Sequence, residues 1–248
     1  MKNSRGLTLV GNFFPAESQA VIIMAHGFTS DKSATGRFDR LAKSFNASGY
    51  NVLAFDFGGC GESDDDILVL EHQLEDLKTA IAFVWSKGLR TIGLYGHSLG
   101  GLICLKSYSE VVRTMVLSGA LTDRISYDWS QYYPQEQLLS LQQDGYLTTV
   151  DRTGKTRRIS QQMLDAFEQI EQRELVKNVG CPVLLIHGNN DEEEQLLLER
   201  SRRAVNLLPS DSRLEVIDGA DHSFSDHIDK VERLANGWFI QHLPIQRS

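Results

Sequence analysis

Gly96-His97-Ser98-Leu99-Gly100 sets a serine between two glycines, after the apolar run 91–95 and before the helix-like stretch Leu102-Ile103-Cys104-Leu105. A serine on a tight strand-to-helix turn is held in a strained backbone conformation that exposes its hydroxyl, and the flanking positions must lack a bulky Cβ. Such a hydroxyl is a nucleophile if a base takes its proton and a third group orients the base. The pattern alone arises by chance in roughly one chain of this length in ten. Its context is what gives it weight. His222, in Gly219-Ala220-Asp221-His222-Ser223-Phe224, is the candidate base, and Asp191, in His187-Gly188-Asn189-Asn190-Asp191, the candidate orienting acid. Each follows a predicted strand, where open α/β sheets carry their sites.

The other candidates for these roles are weaker. His97 flanks the serine and orders the turn, while His26 and His187 precede glycines at strand ends. His72, His227 and His242 fall on helices and read as surface residues. Among acids, Asp123 follows another predicted strand, and Glu192, Glu193 and Glu194 read as a helix start. An acyl-transfer intermediate also needs two N–H donors for its oxyanion. Leu99, first in the helix after the serine, offers one, and Phe28, in His26-Gly27-Phe28-Thr29 after another strand, offers the second.

These residues need a sheet to position them. Apolar runs at 7–13, 20–25, 51–55, 91–95, 114–118, 183–187 and 213–217 alternate with amphipathic stretches at 36–48, 67–86, 99–109, 193–207 and 226–242. That alternation predicts an α/β protein with a mostly parallel sheet covered on both faces. In the second helix Ile67, Leu70, Leu74, Leu77, Ile81 and Val84 form one stripe, with Asp64, Asp65 and Asp66 as its expected N-terminal cap rather than a metal site. The glycine-rich loop 56–63 lacks the dinucleotide spacing and reads as a tight turn beside the site.

The alternation lapses for about 60 residues after 118, longer than an ordinary connection. Four of the seven tyrosines fall there within twenty residues. Tyr127, Trp129, Tyr132, Tyr133 and Tyr146 are candidate substrate-contacting aromatics, or serve to pack this segment onto the body. A hairpin turn is expected at 151–155, with Gly154 left-handed, and a helix at 161–172. Residues 1–120 and 181–248 are thus expected to form the core, with 121–180 inserted as a lid.

Composition narrows the function classes. With 248 residues, 41% hydrophobic and 23% charged, the chain suits one globular domain. A net charge of −8, with no basic cluster beyond Arg157-Arg158 and Arg202-Arg203, argues against a nucleic-acid partner. Cys60, Cys104 and Cys181 lack CxxC spacing, which suggests neither disulfides nor zinc, and no apolar run has the length of a membrane span. Cytoplasmic location is the expectation.

The landmarks Asp56-x-x-Gly59-x-Gly61-x-Ser63, Gly96-His97-Ser98-Leu99-Gly100-Gly101, His187-Gly188-x-x-Asp191 and Gly219-Ala220-x-His222-x-Phe224, with His26-Gly27-Phe28, resemble the α/β-hydrolase superfamily over nearly the whole chain. The chain order serine, acid, histidine is that of this fold. Within the superfamily the chain looks most like bacterial cinnamoyl/feruloyl esterases and monoacylglycerol-lipase-like members. The resemblance implies a serine carboxylesterase without metal or organic cofactor, acting on a small-molecule ester of small-to-medium acyl or aromatic type. An acylglycerol lipase, thioesterase or peptidase would use the same residues, and a non-catalytic ligand-binding member of the fold is the alternative class. The chain departs from the pattern at Gly58 and Cys60, and at Glu194 and Gln195, where relatives often carry Val-Pro.

Overall fold

Alternate residues of the strand Ala20–Ala25 belong to two different cores. Val21, Ile23 and Ala25 face one side of the sheet, and Ala20, Ile22 and Met24 the other. A strand covered on both faces must be apolar throughout, and this one is wholly buried. The computed structural model describes residues 1–151 and 154–245.

The strands are β1 (Gly11–Phe14), β2 (Ala20–Ala25), β3 (Asn51–Phe55), β4 (Ile67–Leu68), β5 (Thr91–His97), β6 (Val112–Ser118), β7 (Tyr146–Val150), β8 (Thr156–Ser160), β9 (Val183–His187) and β10 (Arg213–Val216). The α-helices are α1 (Arg37–Ala47), α2 (Leu70–Ser86), α3 (Leu99–Lys106), α4 (Gln135–Asp144), α5 (Gln161–Asp165), α6 (Gln172–Val176), α7 (Glu192–Ala204) and α8 (Ile228–His242). The main sheet has the order β1-β3-β2-β5-β6-β9-β10, parallel except for β1, which runs antiparallel to β3. Helices α2 and α3 contribute Leu77, Ala80, Val84, Leu102 and Ile103 to one face, while α1 and α8 bring Phe38, Phe45, Val231 and Phe239 to the other. This is the α/β-hydrolase architecture expected from the sequence.

Four local expectations are corrected. The first strand begins at Gly11, because residues 2 and 8 pair only as an isolated bridge. Ile67 and Leu68 do not open a helix; they pair with Arg158 and Ile159 of β8, and α2 starts at Leu70 with no side-chain cap. The aspartates serve elsewhere: Asp64 accepts the Thr8 N–H at 2.6 Å, and Asp66 accepts from Arg5 Nε at 3.2 Å. The helix expected at 161–172 ends at Asp165 as α5; Phe167, just beyond it, stacks on Phe28 and Tyr127, and the next helix, α6, starts only at Gln172. Helix α4 had no expectation; Leu141 is its one buried residue, so no apolar stripe marks it.

Within 121–180, β7 and β8 pair antiparallel with Val150 opposite Thr156, and Gly154 is left-handed at φ 85°. Residues 152 and 153 of the expected turn lie outside the described residues. The segment is not a separate body: Leu141, Leu147, Ile159, Met163, Leu164 and Phe167 join the same core as α2 and α3. Among the described residues no helix is long and apolar enough to cross a membrane, and no cluster of side chains could hold a metal ion.

Candidate active site

Ser98 has φ 54° and ψ −123°, a conformation that costs a non-glycine residue free energy and persists only where the surroundings enforce it. Here they do. A Cβ at Gly96 would come within 2.7 Å of the Gly100 oxygen, and one at Gly100 would run into the Ala25 carbonyl. At Gly101 it would stand 2.6 Å from the Ala120 Cβ. The three glycines let β5, α3 and β2 close around the serine, whose own N–H donates to the Ser118 oxygen at 2.9 Å.

His222 Nε2 lies 3.0 Å from Ser98 Oγ. Its other ring nitrogen, Nδ1, lies 2.7 Å from Glu194 Oε2. The expected acid is therefore corrected: Asp191 does not touch the imidazole. Its Oδ1 accepts the Glu194 N–H at 2.7 Å, as the N-cap of α7, and its Oδ2 accepts the His222 backbone N–H at 2.8 Å. Asp191 ties the histidine loop to the helix start, and the helix presents Glu194 one turn further in. Asp123, the other candidate, faces Arg203 at 3.8 Å.

Glu194 is fully buried and each of its oxygens is used. Oε1 accepts from His187 Nδ1 at 2.8 Å and from the Gly188 N–H at 2.9 Å, leaving Oε2 to His222. Burial alone would push this carboxyl up; the hydrogen bonds from the two histidines outweigh it and hold it down at about 2. The position in the first turn of α7 favours the anion further. For His222, burial works against the charged form, but the hydrogen bond to Glu194 and its negative charge win and raise the imidazole above its ordinary value. A Cβ at Gly119 would stand 2.9 Å from His222 Nδ1, so this glycine makes room for the ring.

Two sequence signals for Glu194 were present. One was the departure from Val-Pro at that position. The other was Asp191-x-x-Glu194, the spacing of a capping box, which hid the residue because a helix start explains it without chemistry. His187, expected as a turn residue, donates to Glu194 from full burial.

Phe28 follows β2 in a loop packed on the nucleophile; a Cβ at Gly27 would be 3.3 Å from Ser98 Cβ. Buried His26 links this loop to the next, with Nδ1 against the Gly27 oxygen at 2.9 Å and Nε2 accepting the Phe57 N–H at 3.3 Å. Among the described residues the N–H groups of Phe28 and Leu99 donate no hydrogen bond, which leaves both available to an oxyanion. His97 places its ring 5.2 Å from that of His222 and bonds Ser118 Oγ at 3.0 Å.

Ser98 and His222 open into a cavity of about 350 Å³ lined by Phe28, Tyr127, Trp129, Tyr132, Tyr133 and Phe167, with Glu193 and Arg37 at its polar edge. The aromatics stack on one another: Trp129 meets Tyr127 at 5.0 Å and Phe167 at 5.6 Å between ring centres. They line the cavity and pack the insertion at once. Tyr146, grouped with them on the sequence, lies on β7 outside the cavity wall.

Residues 16–143, half of the chain, match the family described as serine aminopeptidase, S33. The "Putative esterase/lipase 2" of Mycoplasma genitalium is 22% identical over 93% of this chain and 94% of its own length. Two Mycobacterium tuberculosis relatives, each named "Putative phosphoribosyl transferase", are 40% identical over 68 residues; that match spans 27% of this chain but only 15% of theirs. Est1E of Butyrivibrio proteoclasticus, solved with ferulic acid bound, superposes with a TM-score of 0.77 at 19% identity, covering 96% of each chain. With its mostly parallel sheet, its strained serine and the family match over residues 16–143, the chain is an α/β hydrolase that belongs to the serine aminopeptidase S33 family.

Proposed function

We propose that the protein is a serine carboxylesterase that cleaves small-to-medium acyl or aromatic esters through an acyl-enzyme on Ser98. The observation that carries this reading is the continuous line Ser98 Oγ, His222 Nε2, His222 Nδ1, Glu194 Oε2, with steps of 3.0 and 2.7 Å. As Ser98 Oγ attacks the ester carbon, its proton passes to His222 Nε2. Glu194 fixes the tautomer with the proton on Nδ1 and stabilises the imidazolium that forms. The carbonyl oxygen takes the negative charge and accepts from the Phe28 and Leu99 N–H groups. Collapse breaks the ester C–O bond, with His222 returning its proton to the leaving alcohol. Water, deprotonated by the same histidine, then releases the acid and Ser98. No step requires a metal or an organic cofactor. The aromatic cavity suits an acyl chain or ring of modest size, and residues 121–180 act as its lid.

Glu193 supports a second reading. Its carboxylate borders the cavity and accepts from Tyr127 Oη at 2.7 Å, a place where a peptide's free ammonium would bind. Aminopeptidase activity would use the same nucleophile. A panel of nitrophenyl esters from acetate to long acyl chains, feruloyl esters and aminoacyl nitroanilides separates the two. The esterase reading expects turnover of short or aromatic esters, abolished in Ser98→Ala. Turnover confined to aminoacyl nitroanilides would transfer the assignment to the second reading, and ester turnover unchanged in Ser98→Ala would overturn both.

A further inference from the structure

A buried ion pair joins the β7–β8 hairpin to the loop that carries Phe28. Arg157 Nη2 lies 2.8 Å from Asp151 Oδ2, and the two side chains are 5% and 4% exposed. Burying a guanidinium costs free energy that one carboxylate offsets only when the remaining donors are also used. Arg157 uses them on backbone: Nη1 donates to the Thr29 oxygen, and Nη2 reaches the Ser30 oxygen at 3.4 Å. Its Nε has no partner among the described residues. The fork is aimed at those two carbonyls even at the expense of a buried N–H.

Thr29 and Ser30 directly follow Phe28, and Thr29 has φ 52°, a left-handed conformation that β-branched residues avoid. Among the described residues the turn is closed on itself by a 3.2 Å bond from the Ser30 N–H to the Gly27 oxygen. A turn strained at Thr29 keeps its shape only where its surroundings enforce it, and Arg157 holds its carbonyls from outside. The Thr29 oxygen shares a rigid peptide plane with the Ser30 N–H, and the Gly27 oxygen that this N–H bonds shares another with the Phe28 N–H, so fixing the Thr29 oxygen limits where the Phe28 N–H can point.

We infer that Arg157 is a positioning residue for the oxyanion: it clamps the Thr29–Ser30 turn so that the Phe28 N–H faces the carbonyl oxygen of the substrate. The inference rests on Ser98 acting as an acyl-transfer nucleophile. Lysine at this position would keep the charge near Asp151 but cannot fork to two carbonyls. The hairpin has a second fastening that does not touch the Phe28 loop. Lys155 Nζ donates to the Gly61 and Ser63 oxygens at 3.2 and 2.5 Å, on the glycine-rich turn. Loosening the hairpin and releasing the oxyanion loop can therefore be separated.

The test uses full-length Arg157→Lys and Lys155→Gln proteins, with kcat and KM on nitrophenyl butyrate and inhibition by two probes. A trifluoromethyl ketone adds Ser98 Oγ to its carbonyl carbon, passes the serine proton to His222 and leaves a negative oxygen at the Phe28 and Leu99 N–H groups. The matching secondary alcohol fills the same cavity without forming that charge. Arg157→Lys is expected to lower kcat and weaken the ketone in parallel by ~10-fold or more, as a small misplacement of a preorganised donor does. KM and alcohol binding should stay within about 3-fold, a difference of about 0.7 kcal/mol. Lys155→Gln should leave the ketone-to-alcohol ratio at its wild-type value. If Arg157→Lys does not fold, Arg157→Gln, neutral and still a donor, carries the same expectation. An unchanged ratio in the Arg157 variant, or an equal change in the Lys155 variant, overturns the inference while turnover still depends on Ser98. Ester turnover that does not depend on Ser98 overturns the underlying reading as well.

Discussion

Glu194 reaches His222 from inside a helix that Asp191 caps, its Oε2 2.7 Å from the imidazole Nδ1. The two acids divide the work that one aspartate was expected to do. Asp191 holds backbone: the α7 N-terminus and the N–H of His222. Glu194 holds the ring.

This division predicts opposite signatures. Glu194→Gln keeps the shape but loses the charge that fixes the histidine tautomer, and kcat should fall ~10³- to 10⁴-fold with KM little changed. Asp191→Ala removes a helix cap and a loop anchor, so it should cost about 1 kcal/mol in urea unfolding and reduce kcat far less. Steady-state kinetics on one ester, with a denaturation curve for each variant, separates them.

The pH dependence follows from the same pair. The base must be neutral to accept the serine proton, so kcat/KM should fall as pH drops through the His222 pKa, which Glu194 raises above its ordinary value. Removing the charge in Glu194→Gln should move that acid limb to lower pH in whatever activity remains. A limb that stays put would mean another group controls it. The stability contribution of the carboxylate is likewise lost toward acid. Glu194 is held near 2, below its unfolded value of about 4.3, so its contribution is present above pH ~4.3 and is lost as pH falls from there through about 2.

His187 should matter to stability more than its distance from Ser98 suggests. It donates to a carboxylate that is wholly buried from solvent. His187→Leu should cost roughly 2–3 kcal/mol of unfolding free energy and make the protein less tolerant of acid, since the anion loses a donor. Urea unfolding at pH 7 and pH 5 measures both effects.

Gly100→Ala is expected to fail structurally rather than chemically. Its methyl would meet the Ala25 carbonyl, and backbone cannot step aside as a side chain can. The variant should show a lowered Tm by differential scanning fluorimetry along with lost activity, whereas Ser98→Ala should lose activity with its Tm preserved.

The sheet was legible because strands covered on both faces must be apolar along the covered length, and residues 20–25, 52–55 and 183–186 are such runs. Ser98, His222 and the loop around Phe28 were legible for a different reason: glycine and histidine at strand ends answer steric and proton-transfer demands that few other residues meet. Glu194 was not legible, because an acid at the third position of a helix has an ordinary explanation in capping and the helix dipole. Only the third dimension shows its carboxylate turned away from the cap toward two histidines. Residues 67 and 68 were misread because an apolar pair before a helix fits its stripe, and their strand partner lies ninety residues away in β8. In the insertion, aromatics that line the cavity and aromatics that merely pack are the same residue types, so Tyr146 could not be separated from Tyr133 by spacing.

The claim that Ser98 is a nucleophile activated by His222 is tested most directly by covalent labelling. The intact protein is treated with a fluorophosphonate, digested and mapped by mass spectrometry, with Ser98→Ala and His222→Ala in parallel. The account predicts one stoichiometric adduct on the peptide carrying Ser98, absent in Ser98→Ala and strongly slowed in His222→Ala. No adduct on the wild-type protein, or one on another residue, would contradict it.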